Sequence, residues 1–409
     1  MLTYDQALAI VLEHTPKLDV IERPLDALLG SVLAVPIRAP HDLPLFDNSA
    51  VDGYGLHAQD VAQTATQPEL TLQMAGTVQA GDRGLLTISS GSTVKILTGA
   101  PVPAGVEAVV MQEMTQVEDQ RVTVQKAVQS GDNIRRRGEE FKQGDPVLPS
   151  NIEVTPPVIG LLASLGFTEA VVYRKPKVAI IVTGNELVSP GQPLKPGQIY
   201  ESNSYGLKAA LTALGCEVLS VHQVGDSLSE TKITLEQAFS EADIVLTSGG
   251  VSVGEFDWVK QAAESLGVQS HFWKVAIKPG KPSYFGSREN KLLFGLPGNP
   301  VAVLLTFHLF VLPALRKMQG LPSVSIQSRM RKARLLKAIS KKTERLDFVR
   351  GQLGQDEAGF TVTPTQGQSS HMLGGLAQAD CLIPFALEDS HWEAGKWVDV
   401  LPLNWSVFS

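Results

Sequence analysis

The chain has 409 residues, of which 43% are hydrophobic and 19% are charged, so it is neither a small single-core protein nor a largely disordered one. This length leads us to expect about two to four domains. The net charge of −7 argues against a general surface for nucleic acid or anionic membranes, and we expect neither as a partner. Two distant cysteines, Cys216 and Cys381, indicate neither a zinc site nor a disulfide framework and favour a reducing cytoplasm.

Two segments could be mistaken for membrane or export signals. The N-terminus MLTYDQALAIVLEH has early acids and lacks a basic region before an uninterrupted apolar stretch, so it does not resemble a signal peptide. The most apolar segment, residues 301–315, contains His308 and Pro313 and is shorter than the roughly 20 residues that span a bilayer. We predict a buried helix there.

In the first half of the chain the sequence pattern changes twice, from helical to β-like and back to helical. Residues 1–30 have apolar positions at helical spacing, with Thr3 as a candidate N-cap, and residues 151–175 return to this spacing after Thr155 and two prolines. Between them, short β-like runs are broken by Gly, Pro and Asp. We therefore predict an elongated helical region (1–45 plus 146–176) into which an all-β domain (46–145) is inserted.

The second half predicts an α/β domain followed by a small β domain. From Lys177, apolar β-like runs alternate with helical patterns, and such repeated βα units predict a parallel sheet covered on both faces over residues 177–327. After the basic stretch that ends near Lys342, β-like runs return over 328–409. We find no internal repeat and no low-complexity tract.

Five short motifs follow β-like runs of the α/β region. They are TGNEL (183–187), GD (225–226), TSGGVSVGEFD (247–257), KPGKP (278–282) and GLPGNP (295–300). Loops at the carboxyl ends of parallel strands form the ligand crevice of such a sheet, so we expect these motifs to converge on one site. Their acids, lysines and backbone amides suit a phosphate-bearing, metal-assisted substrate.

The Gly-rich motif at 247–257 allows two interpretations. Small residues let the backbone approach a ligand and present amides to an anion, but a tight strand-to-helix turn needs the same glycines. The motif closes with Glu255 and Asp257, which a turn does not require. Carboxylates beside an anion site suggest a bridging Mg²⁺. The motif matches neither a Walker loop nor GxGxxG.

The other motifs carry their own alternatives. Lys278 and Lys281 in a proline-stiffened loop suit a compact oxyanion, although lysines are often simply solvated. Asn299 is either a ligand contact or the N-cap of the next helix. In FDNSAVDGYG (46–55) the polar residues are typical of a turn, and Asp52 is the candidate functional residue. No Ser/His/Asp motif or HxxxH pattern is present.

In order, the motifs DNSAVDGYG, LTGAPVPAG, RRRGEEFKQGD, IVTGNELV, IYESNSYGL, SGGVSVGEFD, KPGKP and GLPGNPV closely resemble those of the molybdopterin molybdenumtransferase family. These are MoeA-type enzymes, similar to the C-terminal domain of gephyrin. The resemblance covers essentially the whole chain. It implies insertion of molybdate into adenylylated molybdopterin with release of AMP, in a Mg²⁺-dependent step.

The resemblance also implies an architecture and partners. It implies a helical dimerisation region, an inserted β lid, a central molybdopterin-binding α/β domain and a C-terminal β barrel. The expected assembly is a homodimer whose active site combines the α/β domain of one subunit with lid and barrel residues of the other. A molybdopterin adenylyltransferase is a possible donor of the substrate.

Site residues carry over by motif. The resemblance places Glu186, Asp226 and Asp257 at the pterin-nucleotide and metal site, and Asp52 and Thr98 among the functional residues of the lid. The remaining candidates are Ser248, Gly249, Gly250, Ser252, Lys274, Pro297 and Pro300 for the substrate, and Lys278, Lys281, Pro282, Arg350 and Ser370 for molybdate.

The chain departs from the family pattern at two positions, and two assignments have neighbouring alternatives. Asn185 stands where many relatives have Asp, and Ala302 stands where relatives often have Ser. Arg345 is an alternative to Arg350, and Ser369 is an alternative to Ser370.

Two other functions remain to be weighed. Single-domain relatives of the α/β unit adenylylate molybdopterin, but they lack the N-terminal regions. A non-catalytic scaffold, as in gephyrin, would not need the acids and lysines.

Overall fold

A computed structural model describes residues 1–83, 85–250, 258–322, 330–341 and 345–403. The chain divides into two compact units. The first comprises Met1–Ala34, Asn151–Ile159 and Glu169–Ser409. The second comprises Val35–Ser150 and Gly160–Thr168, and the predicted β insertion falls within it.

The predicted helical region contains the two expected helices. The helix Tyr4–Glu13 begins at Thr3, whose hydroxyl accepts a hydrogen bond from Gln6 N while the Gln6 side chain accepts one from Thr3 N, so the predicted N-cap is confirmed as a capping box. The second helix is Pro156–Ser164. The spacing did not predict the antiparallel strand pair Val20–Pro24 with Glu169–Tyr173.

The second unit is built on a six-stranded sheet, as its β-like texture predicts. Neighbouring strands of this sheet are antiparallel, except for Leu70–Val78 and Ser92–Ile96, which pair parallel to each other. The strand order is Val106–Met111, Gly53–His57, Ser92–Ile96, Leu70–Val78, Arg121–Val124 and Thr115–Glu118. A helix, a 3-10 turn and two short strand pairs complete it: Ala58–Thr64, Gln112–Met114, Asn48–Ser49 with Ile134–Arg135, and Ile37–Arg38 with Pro146–Leu148.

The first unit contains the predicted parallel sheet. The strand order is Glu217–Val224, Lys177–Thr183, Ile244–Ser248, Lys291–Leu296, Pro282–Arg288 and Gln269–Lys274, of which the first four are parallel. Its helices are Asn203–Ala213, Leu228–Glu241, Trp258–Ser265, and a long C-terminal helix in three parts, Pro300–Thr306, Phe307–Val311 and Leu312–Met318. A short parallel pair, Leu187–Val188 with Ile199–Tyr200, precedes the first of these helices.

Both faces of this sheet are covered, because alternate residues of its strands enter different hydrophobic clusters. Val178, Ile180 and Val182 belong to one hydrophobic cluster, which includes residues of the helices Tyr4–Glu13 and Pro300–Met318. Ala179 and Ile181 belong to a second cluster. A strand buried on both faces needs a continuous apolar run, which VAIIV provides.

One edge of the sheet is antiparallel, which the βα pattern did not predict. Pro282–Arg288 and Lys291–Leu296 form a hairpin. Its two-residue turn contains Glu289 at a φ of 57°. A connection this short joins only antiparallel strands, so the sheet is mixed.

The segment 301–315 is helical and buried, as predicted. The helix Pro300–Met318 is long and apolar enough to cross a bilayer by length and composition, but 78% of its apolar window is buried inside the structure. The turn Phe307–Val311 is a π-helix.

The C-terminal strands close into a five-stranded barrel. In order they are Leu346–Asp356, Gly359–Pro364, Arg331–Leu335, Trp397–Pro402 and Cys381–Phe385, and the last pairs with the first. Ile277–Lys278 pairs parallel to Leu346–Asp356, which ties the KPGKP motif to the barrel. Further elements are Ile339–Ser340 paired with His391–Trp392, and the helix Leu373–Ala377. The predicted β barrel is thus present.

Candidate functional site

A cavity of about 700 Å³ lies at the carboxyl ends of the parallel strands of the first unit. Every one of the five motifs contributes to its lining, which is the convergence that their positions predict. The lining residues are Thr183, Gly184, Glu186, Leu187, Ile199, Tyr200, Glu201, Ser202, Asn203, Asp226, Ser248, Gly249, Gly250, Pro282, Pro297, Gly298, Asn299, Pro300 and His371.

The two glycines that follow Ser248 bring backbone to the cavity wall. Gly249 has a φ of 87°, and a Cβ there would lie 2.7 Å from Thr183 Oγ1 and 2.9 Å from Thr183 O. Gly250 has a φ of 68°, and a Cβ would lie 2.7 Å from Val259 Cγ2. Both positions therefore require glycine. The tight turn and the ligand-binding interpretation share this geometry.

Asn203 and Glu201 also line the cavity, although the sequence did not single them out. The Asn203 amide nitrogen donates to Ser248 Oγ and to the Gly298 carbonyl, both at 2.8 Å. Glu201 accepts from Ser204 N at 2.8 Å and from Ser204 Oγ at 2.5 Å, which satisfies a backbone donor in the first turn of the helix Asn203–Ala213. The start of this helix within IYESNSYGL was the available signal.

Two of the three predicted metal ligands line the cavity. Glu186 and Asp226 are both in its wall, whereas Asp257, like Ser252, lies outside the described residues. Asn185 Oδ1 accepts a hydrogen bond from Asp226 N at 3.3 Å, so this departure from the family pattern joins two of the motifs. No cluster of three His, Cys, Asp or Glu ligands occurs within the described ranges. Two cavity carboxylates are nevertheless a donor set that fits Mg²⁺, which often takes only one or two carboxylates besides substrate oxygens.

Asn299 does not use its side chain as a helix cap. It is the N-cap residue of the helix Pro300–Thr306, but its amide nitrogen donates to Ser370 Oγ at 2.9 Å instead. Val301 N also donates to the Ser370 carbonyl at 3.2 Å. The departure Ala302 is buried in the same helix. Ser370 is thereby fixed next to the cavity residues Asn299 and Pro300.

The three predicted lysines occupy different surroundings. Lys278 Nζ donates to Asp347 Oδ2 at 3.1 Å. Lys274 Nζ lies 4.3 Å from the centroid of the Trp273 ring, a cation–π distance. Lys281 is exposed, and its carbonyl accepts from Val275 N. None of the three belongs to the lining of the 700 Å³ cavity.

Arg350 is fully buried in the barrel. Its Nη2 donates to the carbonyls of Gly367 at 2.6 Å and Ser369 at 3.3 Å, and the Gln368 side chain binds the Arg350 backbone on both sides. Its Nε and Nη1 have no hydrogen-bond partner among the described residues. Burial lowers the pKa of this guanidinium. Arg345 differs from Arg350. Its backbone carbonyl accepts a hydrogen bond from Lys341 Nζ.

In the second unit, Asp52 and Thr98 are in direct contact. Thr98 N and Thr98 Oγ1 each donate to Asp52 Oδ1 at 2.7 Å. The backbone hydrogen bond first, and the hydroxyl second, hold the pKa of Asp52 below its ordinary value of 3.8. The RRRGEEFKQGD motif forms ion pairs with two acids that precede Asp52 in the chain, Arg136 with Asp47 at 2.8 Å and Arg137 with Asp42 at 2.6 Å.

Family models account for nearly the whole chain. Residues 2–166 match the MoeA N-terminal region (domain I and II), residues 179–317 match a probable molybdopterin binding domain, and residues 332–403 match the MoeA C-terminal region (domain IV). The chain belongs to the MoeA family.

Individual MoeA relatives agree over their full length. The chain is 41% identical to a molybdopterin molybdenumtransferase of Haemophilus influenzae, with 99% of each chain covered. It is 36% identical to a molybdopterin molybdenumtransferase of a Nostoc species, with 96% of this chain and 92% of the relative covered. Among solved structures, the molybdopterin biosynthesis MoeA protein of Pyrococcus horikoshii matches with a TM-score of 0.83 and 31% identity, over 98% of this chain and 100% of that one.

Proposed function

We propose that this MoeA protein inserts molybdate into adenylylated molybdopterin and releases AMP. The observation that carries the proposal is the 700 Å³ cavity, to which all five motifs contribute within a chain that matches MoeA relatives end to end. The volume of this cavity lies in the upper part of the range of about 300–1,000 Å³ for small-molecule sites. A substrate that contains both a pterin and a nucleotide requires such a volume.

The chain's own residues divide the work. The backbone at Gly249 and Gly250 and the side chain of Ser248, oriented by Asn203, would hold the phosphates and pterin. Lys278, Lys281, Pro282, Arg350 and Ser370 would hold the tetrahedral dianion of molybdate, and Lys274 would contribute to the substrate pocket. Pro297 and Pro300 line the same cavity.

Mg²⁺ would be held by Glu186 and Asp226, together with Asp257 as the resemblance implies. When bound, it would neutralise charge on the phosphoanhydride from which AMP departs. The fit rests on the two carboxylates in the cavity wall.

The assembly belongs to the same proposal. We expect a homodimer in which Asp52 and Thr98 of one subunit complete the cavity of the other, and a cytoplasmic enzyme that receives its substrate from a molybdopterin adenylyltransferase. The two cysteines, both buried free thiols, are consistent with a reducing compartment.

The alternatives are less well supported. An adenylyltransferase of the single-domain type would not need the regions 2–166 and 332–403 that the family models match. A scaffold without catalysis would not need the acids of the cavity.

The direct test mixes the purified protein with adenylylated molybdopterin, Mg²⁺ and molybdate and measures AMP and active cofactor. Molybdate-dependent AMP release supports the proposal. AMP release that does not depend on molybdate contradicts the proposal, and so does the absence of any AMP release. Sulfate at the same concentration controls for a general anion effect.

The composite site has its own test. Asp52→Asn and Asp226→Asn homodimers, each inactive, would be dissociated and mixed. If each site combines two subunits, half of the dimers regain one intact site, and activity returns to about a quarter of the wild-type value. A site made by one subunit alone would contain one of the two substitutions in every subunit and would regain no activity, so a lack of recovery would contradict the composite arrangement.

A further inference from the structure

A second cavity, of about 140 Å³, lies between the KPGKP motif and the barrel, and among the described residues its charged lining consists of Lys278, Asp347 and Lys341. Lys278 and Asp347 are directly paired where Ile277–Lys278 runs parallel to Leu346–Asp356. Their side chains differ in exposure, 44% for Lys278 and 7% for Asp347. The carboxylate is therefore fixed in the barrel wall, and the ammonium group that it binds is half open to solvent.

Lys341 is fixed from the barrel side without being neutralised there. Its Nζ donates to the carbonyls of Arg345 at 2.8 Å and Phe385 at 3.1 Å, and also to that of Ala386. The residue is only 9% exposed. Neutral carbonyls satisfy the hydrogen bonds of a buried ammonium group but leave its charge in place.

Asp347 acts electrostatically on Lys341 as well as on Lys278. Burial lowers the pKa of Lys341, and Asp347 opposes this more than any other charge. Asp389 and Glu388 also oppose it, but they do not line the cavity; Glu388 is exposed and Asp389 accepts from Trp392 Nε1. Exposed charges are screened by solvent, and among the described residues that line the cavity Asp347 is the only acidic one.

This arrangement resolves a conflict at the oxyanion site. A carboxylate 3.1 Å from Lys278 positions its ammonium group but also cancels its charge, which would weaken binding of an anion. A second ammonium group in the same cavity, that of Lys341, offsets the carboxylate and leaves a net positive charge there. We propose that Asp347 is a positioning residue for Lys278, and that Lys341 compensates the charge of Asp347 so that Lys278 still attracts a tetrahedral oxyanion.

The proposal rests on the proposed function for the identity of the anion. It makes Asp347 and Lys341 act in opposite directions, which a merely structural role for either would not do. Lys341→Gln removes one charge but keeps amide hydrogens for the carbonyls, and Asp347→Asn removes the opposite charge at almost the same volume.

The expected kinetic pattern separates the two roles. Lys341→Gln raises the KM for molybdate about tenfold with a smaller effect on kcat, because Lys341 then no longer offsets the charge of Asp347 beside Lys278. Asp347→Asn does not raise the KM but lowers kcat about tenfold, because Lys278 is no longer held in place. The double variant recovers the KM to within about twofold of wild type and keeps the low kcat.

Two controls address folding and general charge. Lys341→Arg keeps the charge and should keep the KM. Lys332→Gln and Asp399→Asn remove the partners of an exposed ion pair, 2.9 Å apart on the same barrel, and should leave the KM for molybdate unchanged. The thermal unfolding midpoint of every variant is measured, because destabilisation alone lowers the active fraction without changing KM.

Calorimetric titration with molybdate alone distinguishes this proposal from the proposed function. If the wild type releases no AMP, the proposed function fails, but weaker molybdate binding by Lys341→Gln that Asp347→Asn restores still supports the charge compensation. An unchanged affinity in Lys341→Gln, or a double variant that binds as weakly as Lys341→Gln, overturns it.

Discussion

Thr98 donates two hydrogen bonds, from its backbone nitrogen and its hydroxyl, to the same carboxylate oxygen of Asp52. The sequence separation is 46 residues, and the two residues lie on different loops of the second unit. Two donors on one oxygen favour the ionised carboxylate and fix its orientation. Asp52 is therefore held as an anion throughout the neutral range.

Thr98→Val removes the hydroxyl donor but keeps the backbone donor. The pKa of Asp52, now below 3.8, should rise towards that value. Because the folded pKa is the lower one, this carboxylate stabilises the fold above pH 3.8, and that contribution disappears as the pH falls through the folded pKa. An NMR titration of the Asp52 carboxyl carbon measures the shift, with Thr98→Ser as the control that retains it. An unchanged pKa in Thr98→Val would show that the backbone donor alone sets it.

Asn185→Asp should strengthen Mg²⁺ binding. The new carboxylate keeps an oxygen where Asn185 now accepts from Asp226 N, and it adds a negative charge beside two cavity carboxylates. Charge count raises the affinity of carboxylate sites for divalent cations, so we expect the Mg²⁺ concentration for half-maximal AMP release to fall about threefold. A higher Mg²⁺ requirement in Asn185→Asp would place the metal elsewhere.

Asp257→Asn should strongly reduce AMP release with the fold intact.

The convergence of the five motifs could be predicted from sequence because parallel strands place their carboxyl ends at one edge. The period of the apolar runs identifies the strands, and the Gly- and Pro-rich residues after them identify the loops, as at Gly249 and Pro297. Thr3 could be predicted as an N-cap for a similarly local reason, since its partner Gln6 is three residues away.

Contacts between distant segments could not be predicted in this way. Lys278 and Asp347 are 69 residues apart, and no local pattern records that one strand pair brings them together. The hairpin edge of the sheet was missed because a turn at Glu289 lacks the usual Gly or Asn-Gly signal. From the sequence, Asn299 was either a ligand contact or a helix N-cap. The hydrogen bond from its side chain to Ser370 shows that the side chain does not cap the helix.

Gly249→Ala should destabilise the protein more than Gly191→Ala. Both glycines have a φ near 90°, 87° and 89°, so the backbone penalty is matched at about 1 kcal/mol or slightly more. A Cβ at Gly191 meets no atom within 4 Å, whereas one at Gly249 overlaps Thr183. We expect an additional loss of about 2 kcal/mol for Gly249→Ala in urea unfolding, together with loss of activity. Equal losses would show that the wall at Thr183 yields.

Arg350→Met tests whether the buried guanidinium serves function rather than stability. Arg350 is fully buried without a carboxylate partner among the described residues, and its hydrogen bonds go to two backbone carbonyls. Replacing a buried charge by an apolar side chain of similar size is often neutral or stabilising. We expect the free energy of unfolding to stay within about 1 kcal/mol of wild type or to rise, while the KM for molybdate increases at least about tenfold.

Arg334→Met is the matched control for Arg350→Met, because Arg334 is a partly exposed arginine of the same barrel that pairs with Asp356. It should change the free energy of unfolding by less than about 1 kcal/mol and leave the KM for molybdate unchanged. A loss of about 3 kcal/mol or more in Arg350→Met alone would mean that the carbonyls of Gly367 and Ser369 depend on the guanidinium for stability. In that case the lack of a partner for Arg350 Nε and Nη1 among the described residues would not indicate an anion site.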